Sequence, residues 1–511
     1  MKRTLLLLAA VALLLSGCSD QMLEQMREET QLGAYGNQEQ EQVATRIARD
    51  YVSLVFYEDM DLHPLTATNS ANHELLKLVY SAPVRVGSDL KPTNVLAESV
   101  TVDGKTVTVV LKKGLKFSDG SAVTAADLVA SIKTVRNTEA SPYHARLTDV
   151  KNYWAEDNRT VIIKLERENV DFAACLDIPI VKKNKSQIGC GPYRFSEQGG
   201  ERVLVPNTHY FTQPKIKTIY LKKPTDDRES KNMFSVGLLD VYFAAAESDV
   251  VFSGGKNYTV QSYAGDSLLY LGINCNDPRL SDRAMRSLLN GMIDRTRLSE
   301  GVLLKQADAS AYPFQPGWYK NTVKTAAPDE AALKAQAEKL GLTVSEKALM
   351  DQSGAQVAFS LLVAEGSTVH SDAAQAMVEG FALFGVRIHL ESVSNQEYYR
   401  RLAAGEYQLY LGEIKTGRTL NTSLFAAESA ANFSGTVFPT LEEAAAQYKS
   451  GEITVEQFAA VFDQYTPVMP LAYRRGVLYV AADVGPLAAA GPWSLYGDIT
   501  KLTTKETELT T

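Results

Sequence analysis

Between Val357 and Ile414 the hydrophobic period of the chain switches repeatedly between strand and helix. Val357–Val363 is an apolar run of strand length. Ala374, Met377, Val378 and Phe381 follow at helical spacing behind Ser371, which reads as the helix cap. Val386–Leu390 reads as a strand, 395–404 as a helix, and Tyr407–Ile414 as a strand. Strands separated by helices cannot pair through tight hairpins. They pair in parallel through crossover helices, so this stretch predicts an α/β lobe.

Upstream the pattern differs. Residues 51–56 read as a strand and 72–80 as a helix with Leu75, Leu76 and Val79 on one face. Val100 and Val102 precede Asp103-Gly104, and Val107, Val109 and Leu111 follow. Asp-Gly between alternating runs marks a hairpin, because a type I′ turn needs φ > 0 at both central residues. Thr124 and Asp127 form a capping box before a helix that carries Leu128, Ile132 and Val135. A strand at 160–165 completes a small α+β unit. Further strands are expected at 203–205, 217–221 and 268–274, and a helix starting at Asp282. The Ala-rich stretches 426–431 and 443–446 read as helical surface. At 511 residues the chain is too long for one ordinary domain.

The N-terminus has its own signal. Met1-Lys2-Arg3 is followed by Leu5–Leu15 without a polar residue. A basic start, a short apolar run and small residues mark a secretory signal, residues 1–17. Leu15-Ser16-Gly17-Cys18 resembles the bacterial lipobox, which implies lipidation of Cys18. Residues 18–50, rich in Gln and Glu, then read as a lipid-anchored tether. No second apolar run is long enough to span a bilayer, so the chain is not a permease.

Several kinds of chemistry lack their motifs. With 52 basic and 60 acidic residues the formal charge is −8, and no broad basic field exists for nucleic acid. None of the six histidines forms H-E-x-x-H, so no metal site is expected. G-x-S-x-G and G-x-x-x-x-G-K-[ST] are both missing. Ser88–Lys91 and Ser253–Lys256 match S-x-x-K without its companion signatures. The reading is therefore a protein that is not an enzyme and carries no cofactor. Cys175, Cys190 and Cys275 remain after processing. A Cys175–Cys190 bond and three small buried hydrophobes are both compatible with that count.

A resemblance now joins these parts. Gly114-Leu115-Lys116-Phe117-Ser118-Asp119-Gly120 with Val123-Thr124-Ala125-Ala126-Asp127-Leu128 resembles the central signature of the family 5 extracellular solute-binding proteins. These are the oligopeptide-, dipeptide- and nickel-type receptors of ABC importers. Gly189-Cys190-Gly191-Pro192-Tyr193 resembles the family's G-x-G-P-Y turn, and Gly191 reads as a position with a backbone closed to β-branched residues. Ile273-Asn274, Asp282–Arg286, Ile293-Asp294-Arg295 and Pro467–Leu471 resemble later family segments in the same order.

The resemblance implies an α/β fold of the periplasmic-binding-protein-like type II. Two lobes joined by a hinge would carry a small extra α+β domain. Lobe I would comprise 51–81, 187–270 and 466–511, the small domain 82–186, and lobe II 271–465, with crossings near 268–275 and 465–472. It implies a monomeric, lipid-anchored receptor on the extracellular or periplasmic side of the cell membrane. That receptor would capture short peptides between its lobes for a membrane permease. Nickel chelates, oligosaccharides, or a sensory role without transport are the alternatives. Peptide-binding relatives place an aspartate just after a strand like Tyr407–Ile414. Here the stretch is Leu411-Gly412-Glu413-Ile414-Lys415-Thr416-Gly417-Arg418. Glu413 then stands in as the amine partner and Arg418 as a carboxylate partner, or the first caps the strand and the second is solvated. Tyr80, Trp318, Tyr398 and Trp493 are the aromatic candidates for the cleft.

Overall fold

In the body of the chain, Arg49–Thr504, three sheets account for most of the strands. The computed structural model describes residues 43–46, 48–244, 257–345, 347–505 and 507–510. The signal run, Cys18 and the tether up to residue 42 lie outside the described residues. Val43–Arg46 and Thr507–Thr510 pair antiparallel as a unit of their own.

The first sheet places Tyr51–Val55 parallel to Thr218–Lys222, with Glu201–Pro206 and Tyr193–Gln198 following antiparallel. The second is the antiparallel sheet Ala97–Asp103, Thr106–Leu111, Thr160–Leu165 and Val150–Ala155. Its first hairpin closes on the Asp103–Thr106 pair, so the loop residues are Gly104 and Lys105 rather than the expected Asp103 and Gly104, and only Gly104, at φ 52, is left-handed, the II′ pattern and not I′. The helix Ala125–Arg136 lies beside it, and Asp127 accepts from the Thr124 N–H at 2.9 Å.

The third sheet has seven strands. Ala358–Ala364 runs parallel to both Arg387–Val393 and Leu409–Lys415, as the alternating pattern requires. Two long antiparallel strands, Tyr258–Ile273 and Val468–Ala481, complete its centre. These strands serve two cores. Tyr263 and Leu478 pack with the residues of the first and second sheets, whereas Leu268 and Tyr473 pack in the core of the larger lobe. The passage between cores lies where the ladder slips, between Ala264 and Ser267. The family resemblance implies a crossing near 268–275, just after this slip.

Four further local expectations are corrected. The helix Thr368–Leu383 is capped by Ser367, not Ser371, and the preceding Gly366 at φ 101 turns the chain into it. Residues 426–431 form turns rather than helix, because Ser429 and Asn432 bond nearby backbone N–H groups. Residues 443–446 are helical, within Pro439–Ser450, but Ala444 and Ala445 are buried. Gly191 does not have a positive φ. A Cβ there would lie 2.6 Å from the Leu78 carbonyl oxygen and 2.6 Å from the Val79 carbonyl carbon. Close approach of two backbones, not torsion, demands that glycine.

Candidate functional site

The site grows from the helix Ser70–Val79, whose first turn is capped by Asn69. Leu75, Leu76 and Val79 enter the core, and the other side presents His73, Glu74 and Lys77. Glu74 pairs with Lys77 one turn on and accepts the Leu495 N–H at 2.8 Å. Lys77 also donates to the Trp493 carbonyl at 2.8 Å. A buried ion pair thus fastens this helix to the 493–495 segment. Burial lowers the Lys77 pKa, and the Glu74 charge opposes that shift.

Beside the pair lies a pocket of about 90 Å³, lined by Glu74, Lys77, Tyr80, Asp177, Tyr210 and Trp493 among others. Asp177 anchors it. One carboxylate oxygen accepts from Arg146 at 2.7 Å and the other from Arg418 at 2.5 Å. Arg418 comes from the loop after the strand Leu409–Lys415, and its guanidinium lies 4.1 Å from the Trp493 ring centroid. Arg146 lies 4.3 Å from the Tyr143 ring, which packs 5.1 Å from His73. Burial pushes Arg418 down to about 10, with Arg146 adding to the effect. Burial, then Lys77 and Arg146, push His73 down to about 2, so it is neutral.

Four polar atoms of this group have no hydrogen-bond partner among the described residues: His73 Nδ1, Tyr143 Oη, Arg418 Nε and Trp493 Nε1. The last two are donors only. Buried donors without acceptors are rare in native proteins, and they mark a place that an acceptor group would complete. Three cations, Lys77, Arg146 and Arg418, outnumber the two carboxylates Glu74 and Asp177 in the cluster. Such an arrangement can hold an acceptor group by hydrogen bonds and charge. Nearby Cys175 is buried and its thiol is pushed up to about 12, so it is no nucleophile. Cys175, Cys190 and Cys275 are all free, buried thiols.

Tyr80 also lines a second, wider groove of about 810 Å³ with His63, Phe195 and Arg202, while its hydroxyl donates to the Ser186 carbonyl at 2.7 Å. The structure therefore brings Tyr80, Arg418 and Trp493 together. It places the other three candidates elsewhere. Trp318 packs in the large-lobe core, 5.8 Å from the Tyr448 ring. Tyr398 is buried there too and donates to the Leu411 carbonyl at 2.7 Å. Glu413 accepts from Ser267 Oγ at 2.6 Å, contacts His370 Nε2 at 2.8 Å and faces Arg474 at 3.4 Å. Burial pushes its carboxyl up, but these donors and the Arg474 charge outweigh burial and leave it below the ordinary range.

The sequence reading missed Glu74, Lys77, Arg146 and Asp177. A signal existed for Asp177, a lone carboxylate inside the apolar run Phe172–Val181. Lys77 similarly interrupts the apolar run Leu75–Val79.

Comparison with known proteins agrees with this architecture. The family profile described as bacterial extracellular solute-binding proteins, family 5 middle, matches residues 91–429. Protein XP55 of Streptomyces lividans is 24% identical over 383 residues, covering 70% of each chain. The oligopeptide-binding protein AppA of Bacillus subtilis is 23% identical over 363 residues, covering 64% of this chain and 66% of its own. Among solved structures, the periplasmic murein tripeptide binding protein MppA, in its unliganded open form, superposes with a TM-score of 0.74 at 17% identity. That match covers 91% of this chain and 99% of the other. A nickel ABC transporter protein from Bacillus halodurans gives 0.71 at 18% identity, covering 89% and 100%.

Proposed function

This chain belongs to the bacterial extracellular solute-binding proteins of family 5, and from that premise we propose that it captures short peptides between its lobes and passes them to a membrane permease. As a member of that family it is a solute-binding protein of ABC importers and not an enzyme. It works outside the cytoplasm. Lipidation of Cys18 would keep it at the membrane surface, where a captured cargo meets its permease without being lost to diffusion.

The observation that carries the peptide reading is the pair of donor-only atoms, Arg418 Nε and Trp493 Nε1, left open beside the Asp177 pocket. A peptide supplies acceptors of the matching kind in its carboxylate and its backbone carbonyls. A charged acceptor gains most, because a charge-assisted hydrogen bond in a dry site is about twice as strong as a neutral one. Trp493 and Tyr80 offer ring faces on which side chains of differing identity can lie. Relatives named for oligopeptide and murein tripeptide binding support the same cargo class.

The test is mass spectrometry of whatever the purified protein carries. Bound peptides support the reading. A chelated metal or a sugar, with no peptide, would overturn the cargo while leaving the family assignment intact.

A further inference from the structure

The segment Asn169–Asp177 carries a second buried carboxylate that the pocket does not use. Asp171 is 5% exposed and sits at the start of the short 3-10 turn Phe172–Cys175. Phe172 and Cys175 pack in the first core. A carboxylate taken out of water is tolerated only when paired and hydrogen-bonded. Both partners of Asp171 come from the other lobe. Lys320 Nζ donates to Oδ1 at 2.5 Å and Tyr448 Oη donates to Oδ2 at 2.9 Å. The Lys320 ammonium also lies 5.9 Å from the Tyr448 ring centroid. Tyr448 and its neighbour Trp318 are members of the large-lobe core.

The surrounding backbone follows the same direction. The Val170 N–H donates to the Lys449 carbonyl at 2.9 Å, and the Tyr319 N–H donates to the Asp89 carbonyl at 2.9 Å. Asp171, Lys320 and Tyr448 do not line the 90 Å³ pocket. Six positions further on, Asp177 makes its own cross-lobe contact to Arg418. One strand of chain therefore holds two carboxylates against cations of the facing lobe, one at the pocket and one outside it.

We propose that Asp171, with Lys320 and Tyr448, is a clasp that sets cargo affinity by holding the lobes together, without touching cargo. It is a positioning residue. The proposal rests on the reading that the lobes close over a cargo. When the lobes part, Asp171 and Lys320 each return to water, so neither becomes an unpaired buried charge. A contact made only in the closed form adds its whole free energy to the closed–open balance. Apparent affinity falls with the fraction of closed, binding-competent molecules. A charge-assisted contact of this type corresponds to about a ten- to hundredfold change in that balance.

The experiment uses the full chain and three variants: Asp171→Asn, Lys320→Met and Tyr448→Phe. Small-angle scattering of the cargo-free protein reads the opening directly, and amide exchange at Val170 reads the clasp locally. Both work whether or not peptides are the cargo, so failure here is separable from failure of the peptide reading. A synthetic short-peptide mixture then reports apparent affinity. We expect a larger radius of gyration and at least tenfold faster Val170 exchange in Asp171→Asn and Lys320→Met, a smaller change in Tyr448→Phe, and a double variant Asp171→Asn/Lys320→Met no worse than the stronger single one. A lowered melting temperature with unchanged radius and unchanged Val170 exchange would show an ordinary packing role and overturn the clasp. Should Asp171→Asn fail to fold, Lys320→Met and Tyr448→Phe decide the matter from the opposite lobe by the same criteria.

Discussion

Arg418 donates to Asp177 across 2.5 Å, although the two residues stand 241 positions apart. The contact joins the loop after the strand Leu409–Lys415 to the apolar Phe172–Val181 run. It also lays the Arg418 guanidinium on the Trp493 ring and leaves Arg418 Nε open.

That arrangement makes the guanidinium hard to replace. Arg418→Lys retains a positive charge near Asp177 but loses the planar stack and the fixed fork of donors. We expect cargo affinity to fall about tenfold by calorimetry, the loss of one charge-assisted contact. Equal affinity in the two proteins would show that Arg418 serves only the Asp177 pair.

Glu413 behaves differently. Its carboxylate is already committed to Ser267, His370 and Arg474, and two of these lie on the long strands that pass between the cores. Glu413→Gln is expected to weaken free-amine and acetylated peptides equally, and to lower stability by about 1–3 kcal/mol. The folded carboxyl titrates below the ordinary 4.5, so its stabilisation is complete above that value and is lost as pH falls through the lowered one. The gap in melting temperature between wild type and variant should therefore shrink under acid conditions. A gap that persists at the lowest pH would contradict this account, as would selective loss of free-amine peptides.

Gly191 tests a steric argument. Its N–H donates to the Val79 carbonyl at 2.7 Å, and any Cβ would press on the Leu78–Val79 backbone. Gly191→Ala should then be nearly as harmful as Gly191→Val, at about 1–3 kcal/mol or more by thermal unfolding. A harmless alanine with a harmful valine would point back to a rotamer or torsional cause.

Cys18 follows the lipobox-like Leu15-Ser16-Gly17. Cys18→Ala should move the protein from the membrane fraction to the soluble one. Unchanged membrane retention would contradict lipid anchoring.

The fold was legible where chemistry is local. Gly104 sets its hairpin by backbone torsion, one residue later than an Asp-Gly type I′ turn would place it, and Thr124 with Asp127 specifies a helix start by satisfying N–H groups there. The parallel order of the last strands followed from period alone. Ser371 and Ser367 are chemically equal caps, and only the turn at Gly366 decides between them. Glycine is used both for positive φ and for close approach, and these uses look alike in sequence, so the sequence alone does not show that close approach is the cause at Gly191. The site was less legible for a physical reason of scale. Lys77 meets Trp493 over 416 positions, and no local pattern encodes that meeting. Arg418 and Trp493 stood out by residue type. Glu413 stood out equally, yet its strand turns it toward Ser267 and His370 instead.

The central claim is that the lobes take up peptide at the pocket lined by Asp177 and Trp493, beside Arg418. Calorimetric titration of cargo-free protein with a short-peptide mixture, repeated with peptides amidated at the C-terminus, tests it most directly. The account predicts saturable binding of the free-acid mixture and about tenfold or greater weakening on amidation, since the open donors favour a charged acceptor. Saturable binding that ignores amidation, or no heat with any peptide, would contradict it.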